Sequence, residues 1–117
     1  MDLITTAISY VNGSPHIGHL YEIILADFIK RVHSLKNETI LQTGTDEHGQ
    51  KMEEKAKERN ISPQKLVDLH VAKFKDLCEK YNISYDNFIR TTDTTHKELV
   101  QGIFKELEKK GHIYLGK

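Results

Sequence analysis

Residues 3–19, which read LITTAISYVNGSPHIGH, carry the signals of a strand, a turn and a helix in immediate succession. Residues 3–9 are short and rich in isoleucine and threonine, which is the composition of a buried strand. The turn residues Asn-Gly-Ser-Pro follow at 12–15. From His16 onward, apolar residues recur at steps of three and four, so the stretch predicts a strand that runs through a loop into an amphipathic helix of about five turns.

The rest of the chain alternates between short strands and helices. Ser62 followed by Pro63 predicts a helix start, because serine caps helices and proline suits the first helical position. We expect Gly44 to end the second strand and Thr94 or Thr95 to cap the last helix. The predicted strands are 39–43, 88–91 and one that begins at 113–115, and the predicted helices are about 49–60, 63–80 and 95–110. Such alternation favours an α/β fold, a parallel sheet with helices on its faces.

The composition is that of a soluble globular domain, with 38% hydrophobic and 29% charged residues. Seventeen basic residues balance 17 acidic ones, so no net charge draws the chain toward nucleic acid or a membrane. Cys78 is the only cysteine, which excludes an internal disulfide and a cysteine-based zinc site. No apolar run approaches the ~20 residues that cross a bilayer, and the first residues do not form a secretory signal. We therefore expect residues 1–117 to be one cytoplasmic domain or a piece of a larger one, with no second domain and with no membrane or disulfide partner.

The opening of the first helix predicts a nucleotide site. Loops between a strand and a helix bind anions in α/β proteins, because the first backbone N–H groups of the helix lack internal partners. His16 and His19 are three residues apart and share one helical face, and Gly18 lets a flat ring or a phosphate approach the backbone. The helix dipole disfavours imidazolium here, so we expect both rings to donate hydrogen bonds rather than transfer protons.

A metal site is the alternative interpretation of this histidine pair. Two histidines three apart on a helix can bind zinc. No cysteine supports such a site, and no glutamate lies between the two histidines. We therefore expect no metal ligand in this chain.

Two sequence motifs carry a resemblance to a known family. Residues 16–19 (HIGH) resemble the motif of that name in class I aminoacyl-tRNA synthetases. Residues 9–15 (SYVNGSP) look like the version found in methionyl-tRNA synthetases, and residues 43–51 (TGTDEHGQK) resemble the second motif of that family. The likeness extends through residues 81–83 and 88–92. It implies a Rossmann-like parallel sheet with flanking helices, of which this chain is the first, incomplete half.

The resemblance also implies a role for individual residues. His16 and His19 would hold the ATP phosphates and stabilise the transition state, with Gly18 under the adenine and Asn12 near the nucleotide. The residues implied in methionine binding are Ala7, Ile8 and Tyr10, which form part of the pocket, and Asp46, which pairs with the α-ammonium group.

The residues themselves leave other roles open for the methionine set. Ala7 and Ile8 fit the core equally well, and Tyr10 could simply cover the end of the sheet. Asp46 could cap the helix that begins nearby. For Glu47, His48 and Gln50, which the second motif includes, no physical task can be assigned from the sequence.

The implied reaction is adenylation of methionine by ATP, which Mg²⁺ accompanies, followed by transfer to tRNA(Met). The lysine-rich Lys-Met-Ser-Lys-Ser loop of the family, the second half of the fold, the domain that can hold zinc and the anticodon-binding domain have no counterpart in these residues. We therefore expect more chain to follow, tRNA contacts to lie outside this segment, and residues 1–117 alone to be inactive. The alternatives are another class I synthetase, a small nucleotidyltransferase with the same histidine motif, or a non-catalytic nucleotide-binding fragment.

Overall fold

A computed structural model describes residues 1–11 and 13–116. Within this part of the chain all strand pairs are parallel, and helices flank the sheet, which confirms the predicted α/β fold. The elements, in chain order, are β1 (Asp2–Thr5), β2 (Ser9–Tyr10), α1 (Ile17–His33), β3 (Thr39–Asp46), α2 (Gln50–Glu58), α3 (Pro63–Lys80), β4 (Asn87–Arg90) and α4 (Thr94–Lys109).

The edge strand of the sheet is broken into two parts. β1 pairs with the first half of β3 and β2 with its end, while β4 pairs with the other side of β3. From Thr5 to Ser9 the edge advances four residues, whereas their partners in β3, Gln42 and Thr45, are three apart. One extra residue therefore bulges out of the ladder. The continuous strand that we predicted at 3–9 is wrong, because this bulge interrupts it.

The central strand β3 is longer than predicted. We expected Gly44 to end it, but the strand continues to Asp46. A Cβ atom at Gly44 would lie 2.1 Å from the carbonyl oxygen of Ile89 in β4. Glycine is present because the neighbouring backbone comes so close, not because the chain turns. The longer strand places Asp46 beside Tyr10 at the carboxyl edge of the sheet.

The predicted starts of the first three helices are confirmed. His16 is the N-cap of α1 and Gly49 that of α2. Ser62 caps α3, with its hydroxyl oxygen accepting the backbone N–H of Lys65 at 3.2 Å, and Pro63 takes the first helical position. These starts depend on residues within one turn, which is why the sequence predicts them.

The last elements differ from the prediction. The N-cap of α4 is Asp93 rather than Thr94 or Thr95. The strand expected at 113–115 does not form, and Leu115 is fully exposed. A short apolar segment becomes a strand only where a neighbouring strand accepts and donates its backbone hydrogen bonds. Residues 113–115 pair with none of the described strands.

Two apolar clusters pack α1, α2 and α3 against the sheet. Cys78 is buried in one of them, and burial raises the pKa of its thiol to about 11. That cluster joins α1, β3 and α3 through Leu20, Ile23, Ala26, Leu41, Phe74 and Cys78. The other joins α2 and α3 to the residue after β2 through Val11, Met52, Ala56, Leu66, Val67 and Val71. None of the described helices combines the length and the apolar character of a membrane span. The cytoplasmic location stays a prediction.

Candidate active site

The two motif histidines lie together at the N-terminus of α1. Nδ1 of His16 accepts the backbone N–H of Gly18 at 3.1 Å, and Nδ1 of His19 accepts the backbone N–H of His16 at 3.2 Å. Their ring centroids are 3.9 Å apart. The side chains therefore form a reciprocal capping box, in which each satisfies a backbone donor that the helix leaves unpaired.

This capping determines which ring nitrogen carries the proton. An Nδ1 atom that accepts a backbone N–H is unprotonated, so the neutral ring carries its hydrogen on Nε2. Burial, followed by the nearby His16, lowers the pKa of His19 and favours its neutral form. The helix start therefore offers two Nε2–H donors, a geometry suited to hydrogen bonding with an anionic ligand.

Gly18 has a more local role than we expected from the sequence. A Cβ atom at this position would lie 3.0 Å from Cε1 of His16. The absence of a side chain at Gly18 therefore leaves room for the imidazole ring of His16, whether or not a ligand also approaches the backbone. Asn12, which we expected near the nucleotide, lies outside the described residues.

Tyr10 and Asp46 are cross-strand partners where β2 and β3 end. The backbone N–H of Val11 donates to the carbonyl oxygen of Asp46 at 3.2 Å and extends the pairing by one bond. Asp46 is half-buried, and its carboxylate has no hydrogen-bond or ion-pair partner among the described residues. The alternative role of Asp46 as an N-cap is wrong, because Gly49 precedes α2 without any side-chain cap.

The hydroxyl of Tyr10 lies against the start of α2. A Cβ atom at Gly49 would lie 2.4 Å from this hydroxyl oxygen, and Gly49 has a φ of 131°. Glycine is therefore required both by the backbone conformation and by the close approach of the ring. The side chain of Tyr10 therefore extends from β2 past the end of β3 to the start of α2. This position is compatible with both predicted roles, a wall of the pocket and a cover over the end of the sheet.

Ala7 and Ile8 lie in the bulge between β1 and β2. Both are exposed, Ile8 by 43%. The backbone N–H of Ala7 donates to Oε1 of Glu22 in α1 at 2.9 Å. The alternative that these are core residues is therefore wrong, because the bulge turns them out of the sheet.

His70 in α3 is a residue that sequence reasoning missed. It is only 3% exposed, and neither ring nitrogen bonds to any described residue. Burial, followed by the cations Lys73, Arg59 and Lys55, lowers its pKa, so the ring is neutral. Its neighbours around a narrow cavity are Ser9, Tyr10, Val11, Gly13, Pro15, His19 and Phe74. A single histidine on the apolar face of a helix forms no motif, and only its packing reveals the contact with the site.

Glu47, to which no role could be assigned from the sequence, joins the end of β3 to β4 through an ion pair with Arg90. Its side chain is completely buried, and Arg90 binds it through Nε at 2.7 Å and Nη2 at 3.0 Å. The hydroxyl of Thr45 donates to it at 2.5 Å, and that of Thr92 donates as well. Burial by itself raises the pKa of Glu47, but the donors outweigh it, and the pKa is lowered. Nη2 of Arg90 also binds Asp68 of α3 at 2.6 Å.

The other two motif residues make simpler contacts. Nε2 of His48 lies 3.0 Å from the carbonyl oxygen of Thr91, just beyond β4. The amide of Gln50 donates to Glu54 one turn further along α2. Among the described residues, no group of three or more histidine, cysteine, aspartate or glutamate side chains is arranged to hold a metal ion.

Comparison with known proteins identifies close relatives of this chain. Residues 2–117 match the family model of the tRNA synthetases class I (M). Methionine–tRNA ligase of Helicobacter pylori is 49% identical over 115 residues, which cover 97% of this chain and 18% of that protein. Methionine–tRNA ligase 1 of Bacillus cereus is 51% identical over 113 residues, 96% of this chain and 17% of the relative. The chain thus spans less than a fifth of the length of these relatives.

Solved structures show the same fold. Methionyl-tRNA synthetase of Mycobacterium tuberculosis bound by methionyl-adenylate aligns with a TM-score of 0.88 and 38% identity, over 94% of this chain and 22% of that one. LeuRS of Agrobacterium radiobacter K84, in a ternary complex with tRNA, also gives a TM-score of 0.88, at 23% identity over 96% of this chain and 15% of that one. The second match shows a shared fold and nothing more.

Proposed function

The chain belongs to the tRNA synthetases of class I (M), the family that contains the methionine–tRNA ligases, and on this premise we propose that it binds ATP and methionine in such a ligase. Residues 1–117 would be the first half of the nucleotide-binding domain. The relative of known structure holds methionyl-adenylate, the product that joins these two substrates. The observation that carries the proposal is the capping box of His16 and His19, which leaves two Nε2–H donors at a helix start.

In this proposal the histidine pair binds the phosphates of ATP. Both rings present an Nε2–H donor beside the positive end of the helix dipole, where negative charge is favoured. Their hydrogen bonds strengthen as charge grows on the α-phosphate oxygens during attack, which lowers the barrier. By the family resemblance, Gly18 would lie under the adenine, and Asn12, which is outside the described residues, would be near the nucleotide.

Methionine would lie at the carboxyl ends of β2 and β3. The Asp46 carboxylate, which has no partner among the described residues, is suited to bind the α-ammonium group. Tyr10 provides an aromatic wall beside it, and the exposed bulge residues Ala7 and Ile8 complete this side of the pocket. Ligands of parallel α/β sheets bind at this edge, outside the carboxyl ends of the strands.

Catalysis of this reaction would depend on positioning methionine and ATP rather than on proton transfer. A carboxylate oxygen of methionine attacks the α-phosphorus of ATP, and the bond to the β-phosphate oxygen breaks with its electron pair leaving on pyrophosphate. No general base is required, because the attacking carboxylate is ionised at neutral pH. Mg²⁺ enters with the ATP phosphates as part of the substrate. Transfer of the methionyl group to tRNA(Met) would depend on parts of the ligase other than this segment.

The proposal can be tested in a chimaeric ligase, in which this chain replaces the matching segment of the Bacillus cereus enzyme. We expect pyrophosphate exchange that depends on methionine and is absent with leucine or cysteine. Asp46→Asn should raise the KM for methionine on the order of 10- to 100-fold, because a charge-assisted contact to the ammonium is lost. The matched control is Asp93→Asn, which makes the same change at the exposed N-cap of α4. An unchanged methionine KM in the Asp46→Asn chimaera would refute the binding role.

A further inference from the structure

One side chain of α1 holds the bulge in the edge strand. Glu22 is half-buried, lies three residues after His19, and its Oε1 accepts the backbone N–H of Ala7 at 2.9 Å. We propose that Glu22 is a positioning residue for methionine binding: by holding the N–H of Ala7, it sets the direction in which Ile8 points toward the substrate. This inference rests on the methionine pocket proposed above, and it extends the role of α1 from the phosphates to the amino acid.

The bulge has a backbone donor without a strand partner. The pairing of β1 and β2 with β3 leaves out residues 6–8. The N–H of Thr6 still donates to the carbonyl oxygen of Gln42 in β3 at 3.2 Å. The next N–H belongs to Ala7, and its partner among the described residues is the carboxylate of Glu22. A side chain of α1 therefore takes the place of the strand partner that the bulge lacks.

Two side chains together fix the backbone on both sides of Ala7. The hydroxyl of Thr6 donates to the carbonyl oxygen of Ala7 at 2.8 Å, and it therefore accepts the hydroxyl of Thr43 in β3, also at 2.8 Å. The N–H of Ala7 is held by Glu22, so the peptide planes before and after Ala7 are both restrained. Because 43% of Ile8 is exposed, its direction depends on these planes more than on packing.

A second contact between α1 and the edge strand lies at the far end of the helix. Nδ1 of His33, the last residue of α1, lies 3.0 Å from Oδ2 of Asp2 in β1. Asp2 pairs with the first residue of β3, whereas the proposed pocket lies beside its last residue, Asp46. The two contacts join the same helix to the same edge strand, but only that of Glu22 is next to the pocket. They therefore allow a matched comparison between holding α1 on the sheet and shaping the methionine site.

The charge of Glu22 offers a different route by which it could affect the enzyme. Glu22 and His19 are three residues apart, so the two side chains share a helical face. Burial, followed by His16, lowers the pKa of His19, and the Glu22 carboxylate opposes this shift. If Glu22 acted through His19, loss of its charge would change kcat or the ATP KM. If it acts through the bulge, only the accepting oxygen and its reach matter, and the methionine KM alone responds.

Substitutions in the chimaeric ligase separate these roles, with pyrophosphate exchange as the assay. Glu22→Ala removes the acceptor, so we expect the methionine KM to rise roughly 3- to 10-fold, with kcat and the ATP KM within about 2-fold of the parent. Glu22→Gln keeps an oxygen at the same reach and should have the parent methionine KM. Glu22→Asp keeps the charge but is one methylene shorter, so it should behave like Glu22→Ala. His33→Ala is the matched control, because it removes the other contact of α1 with the edge strand and should leave the methionine KM unchanged.

A double-mutant cycle then shows whether Glu22 acts through the bulge. Ile8→Ala should raise the methionine KM, because it removes part of the pocket. Adding Glu22→Ala to Ile8→Ala should raise the methionine KM by a smaller factor than Glu22→Ala does in the parent, because the side chain that Glu22 directs is gone. Fully additive effects would overturn the inference.

The remaining outcomes separate failure of this inference from failure of the proposed function. A Glu22→Ala ligase with the parent methionine KM, or a Glu22→Gln ligase with as high a KM as Glu22→Ala, would overturn the inference alone, provided that Asp46→Asn still raises that KM. An equal rise from His33→Ala would mean that Glu22 only holds α1 on the sheet. If Glu22→Ala does not fold, the comparison of Glu22→Gln with Glu22→Asp decides. No effect of either Asp46→Asn or Ile8→Ala would overturn the pocket itself and both proposals with it.

Discussion

Replacing His16 separates its capping role from its proposed catalytic role. Alanine removes both the Nδ1 acceptor that caps α1 and the Nε2–H donor, whereas serine keeps a capping acceptor and removes the donor. Loss of an N-cap costs about 1 kcal/mol. For a chain of this size that corresponds to a fall of roughly 4 °C in Tm. We therefore expect His16→Ala to be less stable than the parent by this amount and His16→Ser to match it.

The same two variants should behave alike in catalysis. If Nε2–H of His16 stabilises charge on the α-phosphate, either replacement in the chimaeric ligase should lower kcat roughly 10²- to 10³-fold, about 2.7–4 kcal/mol. Far-ultraviolet circular dichroism of residues 1–117 gives the Tm, and pyrophosphate exchange by the chimaeric ligase gives kcat. His112→Ser, at an exposed position outside the described helices and strands, is the control. A His16→Ser ligase with the parent kcat would refute the transition-state role, and equal Tm values for His16→Ala and the parent would refute the capping role.

Three further predictions follow from packing, titration and chain length. Gly44→Ala should lower the free energy of unfolding by about 3 kcal/mol, because its Cβ would lie 2.1 Å from a carbonyl oxygen. Gly102→Ala in α4, with open space around it, should raise the free energy of unfolding by roughly 0.5–1 kcal/mol. Chemical denaturation measures both, and equal effects would contradict the close approach of β4. The pKa of His70 is lowered in the folded state, so the unfolded chain binds this proton at a higher pH than the folded chain does. The stability that neutral His70 contributes is therefore fully present above its ordinary pKa of 6.5 and is lost as the pH falls below it. Between about pH 5.5 and 7.5, urea unfolding of His70→Leu should show a smaller difference in the free energy of unfolding than the parent, and an identical difference would exclude His70 as the cause. Residues 1–117 alone should give no measurable pyrophosphate exchange, since they span less than a fifth of the relatives; clear turnover would contradict this.

The motif residues show how much of the site can be predicted from the sequence. The spacing of His16 and His19 predicted a shared helical face at the start of α1, and the structure has both at that place. The reciprocal capping by their Nδ1 atoms was not predicted, because it depends on ring orientations. Glu47 could not be interpreted at all, since its main partner Arg90 lies 43 positions away in the chain.

Local signals determined the elements, and contacts between distant residues determined the site. The sequence alone specified an α/β order and the starts of α1, α2 and α3, because caps and apolar periods act within a turn or two of chain. Only the tertiary structure decided that β3 passes through Gly44, that a bulge exposes Ala7 and Ile8, and that Arg90 is held by Glu47. Each of these depends on which strand lies beside β3, and strand pairing is set by the packing of the whole sheet rather than by neighbouring residues.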